Sequence, residues 1–415
     1  MDRRTLLRTS VQLALLAPFA RIAHALPNAE ARFVIVILRG ALDGLAAVAP
    51  YGDSQYKSLR GSLALDSPGT TGGVLKLDGT FGLHPSLTSM HSMYQAKELA
   101  ILHAVATPYR ERSHFDAQKV LEAGNLSPAA TEGGWLNRAL AELQSSGGKR
   151  DAVALADTVP LVLRGDFPVN SWAPSKLPDA DQDLLARVRR MYENADPRLA
   201  DRLIEALDAR EMIGDPSSEA AIGDRAGGQI NPIVTAAARF LKSPNGPRVA
   251  AIDVGGWDTH ANQGAAQGNL ATRLRGLDAG LQTLKTELGP VWKDTTVLIV
   301  TEFGRTVAVN GTRGTDHGTG GVAFLAGGAV NGGRIVGEWP GLAQRDLYQN
   351  RDLRPVTDLR GVFKGVLAQR FGVGEAALAR NVFPGSDAVH PVERLTAYPR
   401  CMQRRSVLLL EPTPL

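Results

Sequence analysis

The sequence predicts an α/β protein: a doubly wound, mostly parallel sheet with helices on both faces, plus a helical insertion. Three observations predict it. Short unbroken apolar runs rich in β-branched residues recur, among them Phe33-Val-Ile-Val-Ile-Leu38 and Thr296-Val-Leu-Ile-Val300. Runs apolar at every position suit strands buried on both faces. Segments of helical period lie between them, and polar glycine-containing loops follow the runs directly, where a parallel sheet places its ligands.

Along the chain, Phe33 to Leu38 is the first strand and leads into Arg39-Gly-Ala-Leu-Asp43-Gly44. Residues 50 to 82, rich in Gly, Ser, Thr and Asp, read as a surface excursion. A helix from Pro85 to Ala96 precedes a second buried strand, Leu99 to Val105. The loop Thr107 to Asp116 passes into a helix running through Gln118 to Ala123, and Gly133 to Leu143 has helical spacing. Ala152 to Ala156 and Leu161 to Leu163 read as strands. From 176 to 245 the chain turns helical and charged, with helices expected at Asp183 to Asn194, Pro197 to Met212 and Ile230 to Leu241. That stretch is either an inserted lid or ordinary covering helices. The alternation resumes with a strand at Arg248 to Asp253 and an amphipathic helix from Leu270 to Glu287. Strands at Thr295 to Thr301, Val322 to Ala326 and Arg334 to Val336 follow, and a helix from Thr357 to Phe371 closes the fold. One domain over residues 26–390 is expected, with a patternless tail at 391–415.

Residues 1–25 stand apart as a signal peptide. Arg3-Arg4-Thr-Leu-Leu-Arg8 is a twin-arginine start, an apolar run from Val11 to Ala20 follows, and Ala23-His-Ala25 offers small residues at a cleavage site. An ordinary helix or a membrane anchor is the plainer alternative, yet the run falls well short of the roughly 20 residues a span needs. Export through the twin-arginine machinery to the periplasm is therefore expected, and that route carries protein already folded. The segment holds four arginines against Asp2, a net +3 of the chain's +4, so the remainder carries +1. No basic run of five or more remains, and nucleic-acid binding gains no support. The single cysteine, Cys401, allows no intramolecular disulfide framework. P-loop, dinucleotide and Gly-x-Ser-x-Gly motifs are absent.

Carboxylates and imidazoles gather in two regions. Asp253-Val-Gly-Gly-Trp-Asp258-Thr-His260 follows one strand; Thr301-Glu302-Phe-Gly-Arg305 and Asp316-His317-Gly318 follow another. Two of only eight histidines sit there, and nitrogen and oxygen donors suit a divalent zinc, manganese or calcium ion. Gly255 and Gly256 permit a tight turn that aims Asp258 and His260 at one point. Glu302 stands at a strand exit, as ligand or base or as partner of Arg305. In Ser113-His114-Phe-Asp116, preceded by Arg110 and Arg112, a hydroxyl opens a helix beside cations. It is either a nucleophile receiving an anion or a simple helix cap. Asp43 either completes the metal site or stabilises its own turn. His84, His91 and His103 read as packing or surface residues, and Trp257 as a structural tryptophan beside the site.

Five motifs in order carry a resemblance: Leu38-Arg-Gly to Asp43-Gly, Arg112-Ser-His-Phe-Asp-Ala-Gln118, Gly255-Gly-Trp-Asp-Thr-His260, Thr301-Glu-Phe-Gly-Arg305 and Asp316-His-Gly318. Together they resemble the bacterial family labelled domain of unknown function 1501, itself similar to the alkaline phosphatase and sulfatase superfamily. The resemblance implies a metal held by Asp43, Asp258, His260, Glu302 and His317, with Asp316 a further candidate. It implies Ser113 as the nucleophile, and Arg112 or Arg305 neutralising the transferred group. The chain also departs from the superfamily, which commonly has an Asp-His pair where Glu302-Phe303 stands and spaces its Asp and His four apart. One metal or two stays open. The implied function is an exported metal-dependent hydrolase of phosphate or sulfate esters, acting on an anionic small-molecule or polymer ester. The alternative is a non-catalytic periplasmic binding or assembly protein that retains the fold.

Overall fold

Nine strands form the main sheet, in a computed structural model that describes residues 30–129, 133–143, 152–174, 181–213 and 230–397. The expected leader, the stretch from Gly214 to Gly228 and Cys401 lie outside the described residues. At the centre, Arg32–Leu38 runs parallel to Val249–Val254 on one side and Thr295–Thr301 on the other, with Phe33 opposite both Val249 and Thr296. Ala152–Leu155 and then Asn170–Ser171 continue in parallel beyond Val249–Val254. On the far side Gly321–Ala326 lies antiparallel between Thr295–Thr301 and Leu99–Ala106. Arg334–Val336 and Thr357–Asp358 pair in parallel with Leu99–Ala106.

One reversed strand in an otherwise parallel sheet has a geometric consequence. The parallel strands all finish at one edge, and Gly321–Ala326 starts there. Residues after Leu38, Ala106, Val254 and Thr301 therefore meet residues just before Gly321.

Alternate residues of each strand face opposite sides. Val34, Val36 and Leu38 pack into one core with Met90, Val234, Leu274 and Leu281; Phe33, Ile35 and Ile37 pack into a second with Trp135, Leu136, Val362 and Phe363. Thr88–Gln95, Ile230–Lys242 and Asn269–Leu288 cover the first core, and Trp135–Leu143 and Leu359–Phe371 the second. Covered on both faces, the central strands are apolar at nearly every position. Each fully buried Val, Leu or Ile contributes about 1.5–3 kcal/mol, enough to stabilise the frame without disulfides.

Leu161–Leu163 differs from expectation, forming a 3-10 turn rather than a strand. Pro160 sets the preceding backbone, Leu163 N–H donates to the Pro160 carbonyl, and Val162 N–H donates to Glu122. Three apolar residues carry no periodicity that separates the two outcomes. The 50–82 excursion is ordered by a second sheet of Val48–Ala49, Gly82–Leu83 and Leu75–Lys76, over buried Tyr56, Leu65 and Val74. Within 176–245, Gln182–Ala195 carries half-buried Leu185, Val188 and Tyr192 among exposed residues, whereas Ile230–Lys242 buries Val234, Ala237 and Leu241. Beyond residue 390 the chain packs back on the body: Leu395 is buried and Thr396 bridges to Val330. Among the described residues no helix is long and apolar enough to cross a membrane.

Close backbone approach at the sheet edge gives a direct test. A methyl group on Gly304 would stand 1.9 Å from the Gly320 carbonyl oxygen, whereas one on Gly311 would meet nothing within 4 Å. Gly304→Ala is expected to lower stability by about 1–3 kcal/mol, read from the urea midpoint. Gly311→Ala should leave that midpoint in place.

Candidate metal centre

Glu302, the first residue past Thr295–Thr301, is fully buried and turns back under the sheet edge. Its Oε1 accepts from the Gly40 N–H at 2.8 Å, His114 Nδ1 at 2.7 Å and Gln118 Nε2 at 3.1 Å, and its Oε2 from the Thr301 hydroxyl at 2.9 Å. Burial opposes its charge, but the donors prevail, led by His114, and hold the carboxyl below its ordinary range.

His114 opens the helix His114–Ala123, which Gly124 ends in the left-handed conformation. Gln118 lies one turn further on the same face, so both side chains reach Glu302. With Nδ1 donating to that carboxylate, the neutral ring presents a lone pair at Nε2. That Nε2 lies 2.9 Å from His317 Nε2 and 3.6 Å from Asp258 Oδ2.

The same logic applies to the other two rings. His317 Nδ1 lies 2.9 Å from the Arg112 carbonyl, which only accepts, so this nitrogen carries the proton. Burial and the neighbouring His114 push the His317 pKa down, which favours the neutral ring. His260 Nδ1 faces Asp316 Oδ1 at 3.3 Å, while its Nε2 lies 2.8 Å from His317 Nε2 and 3.1 Å from Asp258 Oδ1. Thus three imidazoles each turn Nδ1 to an acceptor and Nε2 towards Asp258. Lone pairs this close repel unless a proton or a cation lies among them, and the donor chemistry fits a divalent cation. Ligand atoms of His114, Asp258 and His317 all fall within 4.8 Å of one another.

Arg305 orients Asp258. The guanidinium is 1% exposed; Nε donates to the Ala41 carbonyl, Nη1 to that of Thr315, and Nη2 to Gly40, Trp257 and Asp258 Oδ1. Burial alone would raise the Asp258 pKa, but the Arg305 bond and charge overcome it and keep the carboxylate ionised. The strand exits approach so closely that a methyl group on Gly40, at φ +116°, would stand 2.5 Å from the Asp258 nitrogen.

Several sequence-expected residues stand apart from the convergent Nε2 atoms, some of them on the Nδ1 side of the same rings. Asp43 is fully buried, with Oδ1 accepting from the Leu45 and Ala46 amides and Oδ2 bound to Arg60 and, at 2.7 Å, Gln263. Both oxygens serve the turn and a buried ion pair. Glu302, expected as a ligand, supports His114 instead. Asp316 supports His260 and accepts from Asn310. Arg112 donates to Asp352 and Gln349, and Arg305 to carbonyls and Asp258. Ser113 occupies the helix-cap position without bonding the helix amides. His114 is the residue that sequence reasoning passed over. Its signal was available: a histidine at a helix start in a loop leaving a strand's carboxyl end. The buried His84 and His103 bond to the Ala265 and Val48 carbonyls, and burial pushes the His103 pKa down to about 4. They are packing residues.

A family model described as "Protein of unknown function (DUF1501)" matches residues 30–383. The chain belongs to this family. All four convergent donors and their supports fall inside the matched span. No curated protein matches the chain by sequence. Similar solved structures include the C-terminal periplasmic domain of EcEptC from Escherichia coli in complex with zinc, at 9% identity and TM-score 0.36, covering 72% of this chain and 75% of that one. The phosphonate monoester hydrolase of Agrobacterium radiobacter matches at 11% identity and TM-score 0.38, covering 83% and 74%. The lipoteichoic acid synthase LtaP from Listeria monocytogenes matches at 10% and 0.39, covering 85% and 76%. Likeness at this level transfers neither residue roles nor activity to members of the family.

The buried ion pair separates a structural from a ligating role for Asp43. Arg60→Ala leaves that carboxylate buried without its cation and is expected to cost about 3–5 kcal/mol. Chemical denaturation reads the loss, while metal bound per folded chain should stay unchanged.

Proposed function

We propose that this protein is an exported metal-dependent hydrolase of phosphate or sulfate esters, with one divalent ion held by His114, Asp258, His260 and His317. The observation that supports it is the convergence of three Nε2 lone pairs, each fixed by an acceptor on Nδ1, beside an ionised carboxylate. An imidazole-rich set suits zinc or another transition ion better than calcium, which prefers oxygen. When bound, such an ion would supply Lewis acidity towards an ester oxygen and acidify a bound water.

Around it the chain's own groups orient and hold protons. Glu302, the Arg112 carbonyl and Asp316 keep the three Nδ1 protons in place, and Arg305 keeps Asp258 charged and aimed. Ser113, next to His114, remains the proposed nucleophile. A doubly wound, alkaline-phosphatase-like domain over 26–390, with 176–245 as a helical insertion or lid, belongs to the same proposal, as does twin-arginine export to the periplasm. The second reading is a non-catalytic periplasmic binding or assembly protein that keeps the fold and its metal. The engagement of Arg112 and Arg305 by other protein groups favours it.

Three measurements decide between these. Metal analysis of protein prepared without chelator should find about one equivalent, lost in His317→Ala and held about 10–100-fold more weakly in Glu302→Gln. A metal-free, folded wild type would sink both the site and the hydrolase. Ser113→Ala should abolish hydrolysis of an aryl phosphate or sulfate with the metal retained; no turnover by the metal-loaded wild type would leave the binding reading in front. Because the His317 pKa is lowered, its Nε2 stays unprotonated below the ordinary imidazole range. Metal retention should therefore be flat near neutral pH and fall only below the ordinary imidazole range, where a proton competes for His317 Nε2.

A further inference from the structure

A cleft of about 790 Å³ opens along the helix that His114 begins, with none of the four convergent donors in its lining. Arg39, Asp253 and Asp157 line it, so it sits over the carboxyl ends of three neighbouring parallel strands, Arg32–Leu38, Val249–Val254 and Ala152–Leu155. One wall is a single face of the His114–Ala123 helix, where Phe115, Gln118, Lys119 and Glu122 recur three and four apart. Gln118 stands at the junction, because it lines the cleft and also donates to Glu302, the support of His114. Phe115 directly follows His114. A molecule reacting at the imidazoles would lay its remaining part in this cleft.

The lining identifies what that part is. Three cations, Arg39, Lys119 and Arg164, face three carboxylates, Glu122, Asp157 and Asp253, and their formal charges cancel. On the floor Arg39 pairs with Glu122 at 2.9 Å and Asp253 at 2.7 Å. At the rim the exposed Asp157 has no hydrogen bond or ion pair among the described residues, and Lys119 stands 3.9 Å from Asp116. Arg164 donates only its Nε, to the Val159 carbonyl, which leaves the end of its guanidinium to solvent. Phe115, 82% exposed, offers a bare aromatic face.

An apolar chain in the cleft would strip these charges of water without replacing its bonds. A polyanion would meet as many carboxylates as cations. A neutral polyol brings both donors and acceptors and can lay its C–H face on an aromatic ring. We propose that this cleft binds a neutral sugar, with a ring stacked on Phe115 and its hydroxyls bonded to Asp157, Lys119 and Arg164. That the sugar is the alcohol part of the ester rests on the hydrolase reading; that it binds does not.

The test is titration of the full chain with maltose, cellobiose, lactose and chitobiose, followed by saturation-transfer NMR, with dextran sulfate in parallel. At least one disaccharide should bind, with its Kd raised roughly fivefold or more in Phe115→Ala and also raised in Asp157→Ala. Binding should persist in His317→Ala. Phe115 and Asp157 are both exposed, so neither variant threatens folding. The proposal is overturned if no disaccharide binds, if Phe115→Ala leaves the Kd unchanged, or if only dextran sulfate binds and depends on Lys119 and Arg164. Sugar binding by a metal-free wild type would sink the hydrolase reading alone. Hydrolysis without any sugar binding would sink this inference alone.

Discussion

The buried guanidinium of Arg305 is the interaction on which the rest of the site depends. A cation taken out of water costs several kcal/mol unless its N–H groups all find partners. Here the partners are carbonyls from the exit of the first strand, the turn before Asp258 and the loop before the reversed strand, together with the Asp258 carboxylate. Satisfying one side chain therefore draws three separate loops onto a common point. Glycines stand where the backbones would otherwise collide, at Gly40 against Asp258 and at Gly304 against Gly320. Charge satisfaction sets the loop geometry, and the loop geometry sets where the imidazoles converge.

Much of the frame was legible because the central strands are buried on both faces, and an unbroken apolar run has few other uses at that length. Thr295–Thr301 and Arg334–Val336 match expectation residue for residue. Strand direction was not legible. Val322 to Ala326 has the same apolar texture as its parallel neighbours, and only its connection to the loop carrying His317 turns it round. Leu161–Leu163 was misread because Pro160 and a bond to Glu122 decide its shape, and neither is a periodic signal. The packing of Leu395 after a patternless stretch depends wholly on contacts distant in sequence.

The site divides along the same line. Asp258, His260 and His317, singled out from their glycine-containing loops, stand together. Asp43 and Glu302 show what local sequence cannot carry. A carboxylate near a strand exit reads alike whether its oxygens face a cation or protein N–H groups, and the deciding groups are Arg60, Gln263, Gly40 and His114. His114 was overlooked because the serine before it already explained the segment as a helix start. Two roles compete for such a stretch, and only the fold shows that its second residue meets another imidazole.

The separation of the donors along the chain has a consequence of its own. His114 and His317 are 203 residues apart, and their Nε2 atoms meet only across the reversed strand and the first-strand exit. No local fragment holds the donor set, so an unfolded or half-built chain offers only isolated imidazoles. An ion with affinity for the native arrangement alone stabilises it by mass action. Under the proposed reading, a bound ion would report that segments 203 residues apart have come together.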